Sequence, residues 1–130
     1  MPIEPYNELV RACFAHPDHA GDLQGRYDSV CSAEVTESEN GARLLLQVGI
    51  RDKKIAEMRF RVWGCPYLIA AAETVCADKE NMPIATLQVF AQNELMQRLS
   101  VPDEKLGRML LLEDALLTLA AQINVNIEQD

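Results

Sequence analysis

A chain of 130 residues with 48% apolar and 25% charged side chains has the size and make-up of one globular domain, residues 1–130, which argues against a disordered chain, a collagen-like repeat and a multidomain enzyme. Its 20 acidic and 12 basic residues give a formal charge of -8, so nucleic acid and anionic membrane surfaces are repelled. No apolar run reaches the roughly 18 residues that span a bilayer, and Met1-Pro2-Ile3-Glu4-Pro5 has neither a basic region nor an apolar leader, which predicts a cytoplasmic protein.

In chain order, Leu9, Val10, Cys13 and Phe14 recur at helical spacing between Tyr6 and Ala15, and Pro17 stops the pattern. Three strands are expected next, over Val30–Thr36, Arg43–Ile50 and Ile55–Trp63, where apolar and polar positions alternate. The polar stretches Glu37–Gly41 and Arg51–Lys54 are short enough to make an antiparallel meander. From Cys65 the period becomes helical: Pro66 suits a first turn, Leu68, Ile69, Ala72, Val75 and Cys76 form a stripe, and Asn81-Met82-Pro83 ends it. Ile84–Leu99 reads as one or two short helices, Val101-Pro102-Asp103 as a break, and Glu104–Ile127 as a long helix. That helix is expected to bury Leu106, Met109, Leu110, Leu116, Leu117, Ala120 and Ile123. Strands first and helices after predict an α+β fold: a three-stranded antiparallel sheet with an N-terminal helix and a C-terminal group of helices packed on one face.

Tyr6, His16-Pro17, Gly21, Arg59-Phe60, Trp63-Gly64-Cys65, Ile69-Ala70 and Leu111-Leu112-Glu113-Asp114-Ala115, in this order and spacing, resemble the IscU family, scaffold proteins like the amino-terminal domain of NifU on which iron-sulfur clusters are assembled. The resemblance covers almost the whole chain and implies the same order of strands and helices. It also implies a cluster site of three cysteines, helped by a histidine and by an aspartate near the first cysteine. On that pattern the family's Cys-Gly-Asp falls on Asn40-Gly41-Ala42, its second cysteine on Cys65, and its His-Cys pair on Gly107-Arg108. Cys65 is thus the one inherited metal ligand, because neither glycine nor a protonated arginine binds iron. Arg108 also replaces the cysteine that the resemblance implies as sulfur acceptor from a cysteine desulfurase. Asp103 and Glu104 put charge where the family carries a Leu-Pro-Pro-Val-Lys segment gripped by an Hsp70-type chaperone.

The other candidates each have two readings. Cys13 and Cys31 fall on apolar faces and read as core, while Cys76 lies three helical turns beyond Cys65, too far to share a metal with it. His16 and His19 form an H-x-x-H that is either a metal pair or a capping and solvated pair. Glu113, placed on the long helix's apolar stripe, is either a titrating group or a structural carboxylate bonded to backbone or to an arginine such as Arg59 or Arg61. Gly64-Cys65-Pro66 puts the thiol at a helix start; on the fold the resemblance implies, Arg108 faces it and favours a reactive thiolate, and the other reading is a buried, inert Cys65 with Arg108 pointing to solvent. The chain shows no catalytic signature and is expected not to be an enzyme. The expected function is an iron-sulfur assembly accessory with a degenerate site, holding at most transient iron or cluster and binding protein partners such as a cysteine desulfurase. The alternative is an interaction module without iron or sulfur chemistry.

Overall fold

A computed structural model describes residues 7–37 and 41–129, so Tyr6 and Asn40 lie outside the described residues. Helix α1, Glu8–Ala15, is capped by Asn7, whose side chain accepts the Val10 N–H. The same Asn7 amide donates to Arg98 O at 2.9 Å and to Ser100 Oγ at 3.1 Å, fastening the helix start to the far half of the chain.

Strands β1 (Ser29–Thr36), β2 (Arg43–Arg51) and β3 (Lys54–Trp63) form an antiparallel meander in the order β1-β2-β3. Registers such as Ala33 opposite Leu46 and Leu46 opposite Phe60 put Cys31, Ala33, Leu44, Leu46, Val48, Met58 and Phe60 on the buried face. The β2–β3 turn holds Asp52 and Lys53 at φ 55° and 62°, the left-handed pair of a type I′ turn that matches strand twist without glycine. On the open face Arg43 stacks over Trp63 at 4.4 Å and pairs with Glu34 at 3.0 Å. Gly49 is required there: the Tyr27 ring lies where a Cβ would stand.

Helix α2, Pro66–Lys79, lies against β3 and is buried nearly all round, because α1 packs on it and α4 crosses beside it over β1 and β2. A short 3-10 segment, Ile84–Gln88, is followed by α3, Gln92–Leu99. Ser100 then turns left-handed at φ 52° and Val101 N–H reaches back to Met96 O at 2.9 Å, ending α3 before Pro102. Helix α4 runs Leu106–Gln129 after a 3-10 turn at Asp103–Lys105. The helices pack on one face of the sheet, which is the α+β arrangement expected. No described helix is long and apolar enough to cross a membrane.

The expected buried face of α4 is corrected. Met109, Leu112, Ala115, Leu116, Leu119, Ala120 and Ile123 are buried, while Leu106, Leu110 and Leu117 are exposed at 37%, 47% and 50%. Leucines occupy so much of this helix that apolar content alone leaves its orientation open, and the sheet decides it. Similarly, α1 buries Val10 and Cys13 but leaves Phe14 exposed.

Candidate functional site

Cys65 stands at the N-cap of α2, with Pro66 in the first turn. The strand-to-helix corner is made by Gly64, whose φ of +124° suits glycine and whose absent Cβ would meet Ala42 Cα at 3.5 Å. Cys65 and Ala42 are both buried, at 8% and 2% exposure. Ala42 O in turn accepts the Glu37 N–H at 2.7 Å, and the Glu37 carboxylate takes Arg108 Nη1 at 2.6 Å. A continuous path of contacts therefore runs from Cys65 through Gly64, Ala42 and Glu37 to Gly107-Arg108, and the fold gathers the described positions implied by the resemblance at one end of the molecule.

What it gathers is one thiol, a methyl group, a glycine and a paired cation. Arg108 does not serve as a free charge for Cys65: its guanidinium is committed to Glu37, the two side chains being 13% and 21% exposed. Arg108 Nε is buried without a hydrogen-bond partner among the described residues. Groups of three or more His, Cys, Asp or Glu side chains arranged to hold a metal are absent among the described residues.

A second cluster, not foreseen from the sequence, ties the segment after α1 to α2 and β3. Both ring nitrogens of His19 meet carboxylates: Nδ1 meets Glu73 and Nε2 meets Glu80 at 2.9 Å, while His19 N–H donates to Glu73 at 2.7 Å. Arg59 bridges Glu80 at 2.7 Å and Glu57 at 2.9 Å. Glu57 accepts the Gln24 N–H at 2.9 Å and 3.0 Å, the Gly25 N–H at 3.2 Å and the Tyr27 hydroxyl. Burial opposes charge on the His19 ring, but the bonds to Glu73 and Glu80 outweigh it and raise its pKa. Burial likewise pushes Glu57 up, and the Tyr27, Gln24 and Gly25 donors with Arg59 outweigh that and hold it below the carboxylate range. A neutral imidazole donates through one nitrogen only, so ionised carboxylates at both ring nitrogens favour the imidazolium form of His19.

His16, by contrast, is exposed at the end of α1, so the two histidines form no pair. Glu113 is half-buried in a groove between α4 and the end of β1, and neither Arg59 nor Arg61 reaches it: Arg59 holds Glu57 and Glu80, and Arg61 holds Asp22 at 2.9 Å. The rotation of α4 explains the displacement. Cys13, Cys31 and Cys76 are buried, as their apolar faces suggested, and burial between Glu73 and Glu80 raises the Cys76 thiol well above its usual value. The signal that could have exposed the second cluster is Glu73, a lone carboxylate within the apolar run Tyr67–Cys76, which must find partners if buried.

The family profile described as the NifU-like N terminal domain matches residues 5–126. The iron-sulfur cluster assembly scaffold protein IscU of Escherichia coli strain K12 is 26% identical over 112 residues, covering 85% of this chain and 88% of its own. Among solved structures, the N-terminal NifU-like protein of Brucella abortus has a TM-score of 0.69 at 16% identity, over 91% of this chain and 93% of its own. A putative iron-sulfur cluster assembly scaffold protein for the SUF system from Fervidobacterium islandicum AW-1 also reaches 0.69, at 14% identity over 89% and 96%.

Proposed function

Since the chain belongs to the family of NifU-like N-terminal domains, we propose that it serves iron-sulfur cluster assembly as an accessory, partner-binding scaffold whose own cluster site has degenerated. The observation that carries this reading is the Arg108–Glu37 ion pair, 2.6 Å long, at the position where the family resemblance implies a cysteine ligand. A cluster needs a thiolate or imidazole on each exposed iron corner. Among the described residues of this end, Cys65 supplies one thiol, Ala42 supplies a methyl group, and Arg108 is a cation already neutralised by Glu37. This donor set does not fit a cluster. Iron or sulfur held on Cys65 is transient cargo, and the chain, one domain over residues 1–130, acts in the cytoplasm by presenting the inherited surface to a cysteine desulfurase or another assembly factor. It performs no catalytic step itself.

Anaerobic reconstitution with iron and sulfide tests the degenerate site. The expected product is colourless after desalting, and brown protein that keeps its iron overturns the reading. Calorimetric titration with a cysteine desulfurase and with a cluster-competent scaffold tests the accessory role. A chain that keeps no iron and binds neither protein is an interaction module outside iron and sulfur chemistry.

A further inference from the structure

The outward face of α4 carries Leu106, Leu110, Glu113 and Leu117 at i, i+4, i+7 and i+11, the spacing at which one helix receives another. Its three leucines are 37%, 47% and 50% exposed, and the face continues into an open groove lined by Thr36, Glu37, Gly107 and Leu111. Glu113 and Asp114 sit among these leucines without an ion-pair partner among the described residues, and Glu37 in the groove is the carboxylate that holds Arg108. From Met109 to Asp130 the sequence contains no lysine or arginine.

We propose that this face is the docking surface for a basic amphipathic helix of a partner protein, leucine-like residues covering Leu106, Leu110 and Leu117 and lysine or arginine side chains answering Glu113 and Asp114. The proposal rests on the partner-binding half of the function proposed above and names the surface and the chemistry of the partner. Charge decides the occupant. A second copy of the chain would lay its own α4 on this one and bring Glu113 and Asp114 against the same carboxylates, with no cation on either helix beyond Arg108 to neutralise them. A purely apolar helix would desolvate Glu113 uncompensated. A basic helix buries the leucines and pairs the carboxylates together. The face begins beside Gly107-Arg108, so a partner seated on it reaches the end of the molecule that holds Cys65.

The probe is a fluorescein-labelled helix of about five turns, leucine along one face and lysine on its flanks, with a counter-probe carrying glutamate for lysine. Anisotropy is expected to show the lysine helix binding the wild-type chain. L110Q/L117Q, which removes two leucine contacts, should weaken it by about tenfold or more. E113K/D114K should weaken it comparably and acquire affinity for the glutamate helix. E8K/E94K, the same charge change at exposed positions on α1 and α3, should leave binding within about twofold. Circular dichroism melts establish that each variant is folded. The proposal is overturned if E8K/E94K loses as much as E113K/D114K, if the wild type binds neither helix, or if the chain sediments as a dimer that L110Q/L117Q dissolves. The assay contains no iron, sulfide or desulfurase, so retained iron in reconstitution would end the degenerate-site reading and leave this result standing.

Discussion

Replacing His19 by glutamine should destabilise the protein by an amount that depends on pH, with the sign set by the bonds it makes. The ring gives one charge-assisted hydrogen bond to Glu73 and one to Glu80, and the three side chains are 16%, 10% and 20% exposed. Such bonds contribute about 1.5–3 kcal/mol each when buried. Glutamine retains one neutral bond and partial exposure screens the pair, so the expected loss is about 2–3 kcal/mol near pH 6. At about 2.1 cal/mol/K per residue over 130 residues, 1 kcal/mol corresponds to roughly 4 °C, and Tm should fall by about 8–12 °C. The native pKa of His19 is raised above 6.5. Its stabilisation is therefore complete below the unfolded value of 6.5 and is lost as pH rises through the native value. Urea unfolding of both proteins at intervals between about pH 6 and 9 should show the widest gap at the acid end, closing on the alkaline side. A gap that is constant with pH, or that widens as pH rises, refutes the imidazolium assignment, as does an NMR spectrum near neutral pH with one protonated ring nitrogen.

Three further outcomes follow from burial and pairing. Leu112→Ala, at a fully buried position, should cost about 3–4 kcal/mol, whereas Leu110→Ala should stay within about 0.5 kcal/mol, so urea midpoints of the two report which face of α4 meets the sheet. Glu37→Ala should cost about 1–3 kcal/mol by leaving the largely buried Arg108 guanidinium unpaired, and the double variant with Arg108→Ala should cost less than the sum of the singles in a thermodynamic cycle. Cys76, fully buried with its thiol pushed up, should resist alkylation until global unfolding, so peptide-resolved labelling at sub-denaturing urea should leave it unmodified.

Sheet and helices were legible in the sequence because each carried a distinct period. The alternation in Leu44, Leu46 and Val48 selects one face unambiguously, and structure and sequence agree there. Helix α4 was legible as a helix but not in its orientation, since Leu110 and Leu117 are as apolar as Leu112 and Leu116 and only the partner surface separates them. Arg108 was visible as a residue unable to bind iron, but its attachment to Glu37 spans 71 positions and leaves no local trace. His19 stands out in the sequence by its spacing from His16, whereas its real partners, Glu73 and Glu80, lie 54 and 61 positions away. Long-range pairings among charged side chains have no period, and buried polar clusters are therefore where single-sequence reasoning stops.

The fastening of α1 bears on how the chain is made. The meander β1-β2-β3 closes through neighbouring segments, with little loop entropy to overcome. Helix α1 has no such independence: eight residues are too few to hold a helix in water, and Asn7 reaches Arg98 O and Ser100 Oγ, more than 90 positions downstream. On a ribosome the first helix to emerge therefore waits for α2, which it packs against, and for the end of α3, which Asn7 grips, to leave the exit tunnel before it can dock.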